Sequence, residues 1–442
     1  MAPGLHTSGA MRVWLASVCG LLLGCGGEGL VGGPSAGRLD GGARASQRDA
    51  ALARADAPRS GDAASTTDAP RSPDASRSPD ASRSPDASRS PDASRWPDAP
   101  RAPAPDAPRG PAPDGPRAPA PDAAAPADAP PARITLEGRR LLVDGQPFHL
   151  RGVCWNPVAR GRTHPEGLDF AGAVAADAAL MRAAGINVVR TYEPILDRAV
   201  LDALWAAGIR VAVSVYPYGG VPPEVAGQRA AELRDHPAIL LWLIGNEWNY
   251  NGLYVGLSHA QSLDALNRAA ASIRAVDSAH PIATVYGELP SPETLAAMPL
   301  VDVWGLNVYR GIGFGDLFER WAERSGKPMF LSEYGADAWN ALTGRADEAA
   351  QAMAVEALTR TLVERGVARD AAGITLGGTA FEWSDEWWKA GDPNAHDTGG
   401  VAPGGGPYPD ATFNEEWWGV VDIDRRPRPA YSALQRVFAT AP

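Results

Sequence analysis

The chain has 442 residues, with 41 Lys plus Arg against 52 Asp plus Glu and a formal net charge of −11. That balance argues against a nucleic-acid binder and offers no basic membrane patch. Its three cysteines are Cys19, Cys25 and Cys154; with the first two at the N-terminus, no internal disulfide framework is expected and the fold must rest on its core.

Residues 1–25 begin weakly basic, turn apolar through "VWLASVCGLLLG" and reach Cys25. The apolar run is too short to span a bilayer and reads as an export signal. Leu22-Leu23-Gly24-Cys25 resembles a lipobox, the site where a bacterial lipoprotein precursor is lipidated and cut. An ordinary secretory signal is the alternative, and either way the protein is expected to be exported. Residues 26–132 collapse into Pro, Ala, Asp, Arg, Ser and Gly, with "SPDASR" in tandem from Ser72 to Arg95. No position of that repeat offers an apolar face to stack, so it predicts a disordered tether rather than a solenoid.

Residues 133–442 carry the pattern of one folded domain. "RITLEGRRLLVDGQPF" predicts a small hairpin with turns at Glu137-Gly138 and Asp144-Gly145, closing the bottom of the domain. A first core strand is expected over His149–Trp155. Helical spacing in "LDFAGAVAADAALMRAAG" then leads to the strand "INVVRTYE", and "ILDRAVLDALWAAG" to the strand "IRVAVSVYP". A helix through "VAGQRAAELRDH" precedes "ILLWLIGNE". The helix "LDALNRAAASIRAVD" precedes "PIATVYGE", and the short "SPETLAAM" precedes "VDVWGLNVY". The helix "FGDLFERWAERSG" leads to "KPMFLSEYG", and "EAAQAMAVEALTRTLVERG" to "GITLGGTAFEW". "PAYSALQRVFA" is the last helix. Eight mostly apolar strands alternating with helices predict an α/β fold, a (β/α)8 TIM barrel. A doubly wound open sheet is the runner-up, disfavoured because no Gly-rich phosphate turn follows the first strand.

In such a barrel, chemistry sits at the C-terminal ends of the strands. Strand two ends in Arg190 and Tyr192, strand four in Asn246 and Glu247, and strand six in Asn307 and Tyr309. Strand seven ends in Glu333, and strand eight in Glu382 and Trp383. Glu247 and Glu333 end strands on opposite sides of the ring and are expected to face each other across its mouth. Two facing carboxylates suit glycosidic bond cleavage: one protonates the departing oxygen, the other meets the developing oxocarbenium ion. Structural ion pairs with nearby arginines are the bland alternative.

"GNE" and "SEYG" at those strand ends resemble the paired motifs of clan A glycoside hydrolases. "FLSEYGAD" and "VRTYEPILDRAVLDALWAAGIRV" are most similar to the family 2 catalytic barrel, and the likeness runs through the tail "GVVDIDRRPRPAYSALQ". That family usually carries β-sandwich domains before the barrel, where this chain has the tether. Glucanosyltransferase-like and β-1,3-glucanase-like barrels of the same clan are the open alternatives for membership. The resemblance implies Glu247 as general acid/base, with Asn246 beside it on the sugar 2-hydroxyl, and Glu333 as nucleophile. It further implies that Tyr309 orients Glu333 and that Arg190 keeps it ionised. An acid against Trp248 would be pushed towards its protonated form.

Five tryptophans, Trp383, Trp387, Trp388, Trp417 and Trp418, lie around the last strand and the loop after it. Indole planes suit the C–H faces of sugars, so Trp383 is expected as the floor of the sugar subsite, and the others either line further subsites or pack the loop. His396 and Asp397 in "NAHDTGG" are a weak metal signal without partner spacing elsewhere, so no metal and no cofactor are expected. The reading is therefore an exported, lipid-anchored retaining β-glycoside hydrolase, or a transglycosylase using the same covalent intermediate. The partner is a β-linked oligo- or polysaccharide, with a lean to β-glucan; a membrane is met only through the anchor at Cys25, no nucleic acid is bound, and a monomer is expected. The rivals are a cell-surface carbohydrate-binding pseudoenzyme and a structural envelope protein that uses the barrel as scaffold.

Overall fold

The structure is a computed structural model and describes residues 133–398, 401–403 and 410–442. The expected signal, Cys25 and the expected tether lie outside the described residues. The barrel strands are β1 (Leu150–Cys154), β2 (Val188–Arg190), β3 (Arg210–Tyr216), β4 (Ile239–Ile244), β5 (Ile282–Gly287), β6 (Val303–Asn307), β7 (Met329–Tyr334) and β8 (Thr375–Ala380). Each pairs in parallel with its sequence neighbour, and β8 pairs with β1 to close the ring. The helices between them are α1 (Phe170–Ala183), α2 (Arg198–Ala206), α3 (Val225–Leu233), α4 (His259–Val276), α5 (Pro292–Ala296), α6 (Leu317–Arg324) and α7 (Glu348–Glu364), and α8 (Pro429–Phe438) follows β8. The eightfold alternation expected from the sequence is present.

The apolar runs form strands because both faces are buried. In β4, Leu241 and Leu243 join Ala212, Val285 and Phe330 in the barrel interior. Ile239, Trp242 and Ile244 join the layer under the helices, with Leu266 of α4. Before β1 stand three antiparallel strands, Ile134–Glu137, Arg140–Val143 and Gln146–Pro147, where a hairpin was expected. Ile134 and Leu141 from this sheet pack with Val188 and Leu376, inside the same interior cluster. They stopper the end of the barrel away from the site.

Helix starts are fixed locally. The Asp169 carboxylate accepts from Gly172 N at 2.8 Å, and Ser258 with Gln261 forms a capping box on α4. Helices α3 and α4 meet at Gly227, whose backbone N–H donates to Ser272 Oγ at 3.0 Å. A Cβ there would sit 2.5 Å from the Ser272 carbonyl oxygen, so no other residue fits without moving a helix.

Four strands stop before site residues expected at their ends. β2 stops at Arg190, β4 at Ile244, β6 at Asn307 and β8 at Ala380, so Tyr192, Asn246, Glu247, Tyr309 and residues 381–383 lie beyond the regular ladder. The loops also hold small elements that the sequence pattern did not reveal. These are a helical turn at Trp248–Asn251 and two-stranded pairs of Trp339–Asn340 with Arg345–Ala346 and Val401–Pro403 with Thr412–Asn414.

Candidate active site

The end of β4 sets the first carboxylate. Gly245 takes φ +69° and donates its N–H to the Tyr216 carbonyl at 2.7 Å. A Cβ on Gly245 would lie 2.8 Å from Trp248 Cδ1, so glycine is required by both backbone and space. Glu247 itself stands in the left-handed region at φ +47°. For a residue with a side chain this costs on the order of 1–3 kcal/mol and persists only where the surroundings impose it. They do: Glu247 N–H donates to the Val285 carbonyl at 3.1 Å, and the Glu247 carbonyl accepts from Tyr250 N–H at 2.8 Å. The sharp turn lifts Glu247 out of the strand into the mouth, while Trp248 is buried and donates from its indole to Thr284 Oγ1 at 3.0 Å.

The second carboxylate, Glu333 on β7, is held from three sides. Arg190 Nη1 and the Tyr192 hydroxyl donate to Oε1 at 2.7 and 2.8 Å, and the Tyr309 hydroxyl donates to Oε2 at 2.9 Å. Burial pushes both phenols well above the usual tyrosine range, so they remain donors. Burial works against the charge of Arg190, but its surroundings, with the Glu333 carboxylate at 2.7 Å, outweigh it and hold the guanidinium protonated. Charge-assisted bonds of this kind are among the strongest a protein makes. The Glu333 carboxylate is thus fixed by three donors.

The two carboxylates are tied together through amides. Arg190 Nη2 donates to Asn246 Oδ1 at 2.6 Å, and Asn246 Nδ2 donates to the Tyr254 hydroxyl at 2.8 Å. Asn307 Nδ2 reaches Asn246 Oδ1 at 3.3 Å, and Asn307 Oδ1 accepts from Ser332 Oγ at 2.7 Å. The Glu247 carboxyl is pushed up to about 7, first by burial and then by the negative charge of Glu333, against a hydrogen bond from Asn307 and the charge of Arg190. Trp248 was expected to supply that environment. Its indole instead packs away from the site, against Tyr286 and His259.

The structure thus brings together Glu247, Glu333, Arg190, Asn246, Asn307 and Tyr309. It does not bring Trp383. That side chain is fully buried, packs 6.3 Å from Tyr431 of α8, and belongs to the core under the helices. The reason is one of register: β8 ends at Ala380, and the aromatic on the mouth side is Phe381. Phe381 meets Tyr192 and Tyr309 edge-on at 6.4 and 6.5 Å, with Trp418 behind it at 5.3 Å. Phe381 and Trp418 thus stand beside the phenols that hold Glu333, where the sequence suggested Trp383.

Tyr192 and Tyr254 are the other residues whose roles the sequence did not disclose. Tyr192 stands at an expected strand end and could have been found by its spacing of two from Arg190; Tyr254 comes from a loop with no readable pattern. Several remaining tryptophans pack the loop after β8. Arg160 lies over Trp387 at 4.1 Å, Trp387 stacks on His396 at 4.9 Å, and His396 stacks on Trp417 at 3.8 Å. His396 therefore stands between two indole planes, and burial lowers its imidazole to about 4. No group of three or more His, Cys, Asp or Glu placed to hold a metal occurs among the described residues.

Residues 223–365, a span that contains both Glu247 and Glu333, match the family described as Glycosyl hydrolases family 2, TIM barrel domain. About a third of the chain is thus matched to the catalytic barrel of glycosyl hydrolase family 2. Among relatives, a β-glucuronidase of Pongo abelii is 28% identical over 227 residues, covering 45% of this chain and 32% of that protein. A human β-glucuronidase is 26% identical over 227 residues, with the same coverage of 45% and 32%. Solved structures share the barrel at the level of fold. A β-glucuronidase from Ruminococcus gnavus superposes with TM-score 0.52 at 18% identity, covering 70% of this chain and 52% of that one. A β-galacturonidase from Eisenbergiella tayi gives 0.50 at 19% identity, covering 70% and 55%. The chain thus spans about a third of the first relatives and about half of these structures.

Proposed function

We infer that this family 2 barrel is a retaining β-glycoside hydrolase, and that a sugar can replace water as acceptor in transglycosylation. One observation carries the reading: two carboxylates share one mouth but are pushed into different roles. Glu333 is clamped by a guanidinium and two phenols. Glu247 is raised to about 7 and can carry a proton near neutrality.

In the first step a Glu333 oxygen attacks the anomeric carbon as the bond to the leaving oxygen breaks, and Glu247 gives that oxygen its proton. In the second, water or a sugar hydroxyl attacks the same carbon, passes its proton to Glu247 and frees Glu333. Asn246 is placed beside Glu247 to meet a sugar hydroxyl. The β-glucuronidase and β-galacturonidase relatives support a β-glycoside as substrate. A β-glucan is the substrate class that the tryptophan-rich loop favours, because Trp387, Trp388 and Trp417 remain partly exposed.

The test is Glu333→Ala assayed on a panel of aryl β-glycosides. Hydrolysis should vanish, and added azide should restore an α-configured glycosyl azide. Net inversion by the wild-type enzyme would overturn the mechanism. We also propose export with lipidation at Cys25; Cys25→Ser should then move the protein from the membrane fraction to the soluble exported fraction, and a variant that stays with the membrane would refute the anchor.

A further inference from the structure

The loop after β8 brings a second charged group to the mouth. Lys389 Nζ lies 5.6 Å above the Phe381 ring, the same ring that meets Tyr192 and Tyr309. It is thus one aromatic side chain away from the clamp on Glu333. Two carboxylates hold it, Glu386 at 3.3 Å and Glu415 at 3.6 Å. Glu386 is itself fixed by Asn156, whose Nδ2 donates to Oε1 at 2.6 Å. That bond assigns the amide, so the atom left over is the carbonyl Oδ1. It is buried and has no partner among the described residues, and the same is true of Glu382 Oε1.

The charges decide what this corner can meet. Burial, and then the charge of Glu386, push the Glu382 carboxyl well above the usual carboxylate range against the pull of Lys389. Lys389 is bound by Glu386 and Glu415 at once, so the corner offers no unshared positive charge beside Glu333, which Arg190 already pairs. A uronate carboxylate approaching here finds the Lys389 ammonium already shared by two carboxylates, and like charges in a dry mouth repel strongly. The orphaned Asn156 carbonyl makes the same demand from hydrogen bonding. It needs a donor, which a hydroxyl supplies and a carboxylate does not.

We propose that Asn156, Glu386, Lys389 and Glu415 form a specificity corner that selects an uncharged, hydroxyl-bearing sugar and rejects uronic acids, unlike the substrates named for the relatives. This rests on the glycosidase reading of the same mouth. Rejection here is built from repulsion as much as from fit.

The test measures binding, so it does not depend on turnover. Calorimetric titration of the full chain would use neutral iminosugars of gluco and galacto configuration, each paired with its 6-carboxylate. The neutral member of each pair should bind tighter, by on the order of tenfold or more, the effect of one misplaced charge. In Glu415→Gln, which releases Lys389, that gap should narrow several-fold through tighter binding of the carboxylate. A wild-type preference for the carboxylate, or an unchanged gap in the folded variant, would overturn the proposal and leave the hydrolase reading standing. If Glu415→Gln does not fold, the wild-type comparison decides. Failure of all four compounds to bind would overturn both.

Discussion

Glu247 shows how one residue acquires a role from its surroundings. An exposed glutamate would be almost fully ionised at neutral pH; this one sits near 7 because burial and Glu333 both oppose its charge. In the proposed mechanism it works as general acid while protonated, so kcat/KM should fall as pH rises through about 7. Glu247→Gln should remove that basic limb and slow substrates with poor leaving groups far more than activated aryl glycosides; a limb that survives unchanged would assign it to another group. The phenols make a second case. Tyr192→Phe and Tyr309→Phe each delete one hydrogen bond to the Glu333 carboxylate. Such bonds are worth about 1.5–3 kcal/mol, so each should lower kcat by roughly ten- to a hundredfold. A larger effect on KM than on kcat would mean that the phenols bind substrate rather than hold the nucleophile.

At the level of elements, two glycines with different tasks give separable outcomes. Gly245 lets the chain turn at the end of β4, with positive φ and Trp248 pressed against it. Gly245→Ala should destabilise the barrel by about 1–3 kcal/mol and also cut kcat, because Glu247 rides on that turn. Gly227 only lets α3 approach α4. Gly227→Ala should cost a similar amount, about 1–3 kcal/mol, while kcat at a temperature where the variant is folded stays at the wild-type value. Paired denaturation and single-temperature kinetics would separate the two, and a kcat loss in Gly227→Ala would show that the helix layer bears on the site.

The whole molecule carries an unusual load of carboxyls raised by folding. Glu193 and Glu247 are pushed to about 7, and Asp337 and Glu416 to about 8, in each case chiefly by burial. Because the folded state holds these protons more tightly, the stability they contribute is full below their ordinary values and is lost as pH rises through the folded ones. His149, His164 and His396 are lowered to about 4, again chiefly by burial, and act in the opposite sense between about 4 and 6.5. Above 6.5 only the carboxyls remain in play. The Tm should therefore fall by several degrees between pH 6.5 and 8, and calorimetry showing a rise over that window would contradict the assignment of these protons. On the same scale, deletion of residues 30–130 should leave turnover of small soluble substrates unchanged. A large drop would make that segment part of the site.

Eight apolar runs separated by amphipathic stretches were enough to determine the barrel, because strands buried on both faces and helices buried on one have different periods. The same regularity placed Arg190, Asn246, Glu247, Asn307, Tyr309 and Glu333 at one end, since strand ends in a closed parallel ring share a rim. What periodicity could not supply was the facing of residues once the ladder stops. Trp383 reads as a mouth residue if β8 runs to it; with the strand ending at Ala380, Phe381 takes the mouth and Trp383 goes to the core. Loop residues such as Tyr254, Asn156, Lys389 and Glu415 obey no period at all. They meet the site through contacts between segments far apart in the chain, as Asn156 and Glu386 do across 230 residues. Only the closed tertiary structure brings such groups together, and with them the charge of the mouth.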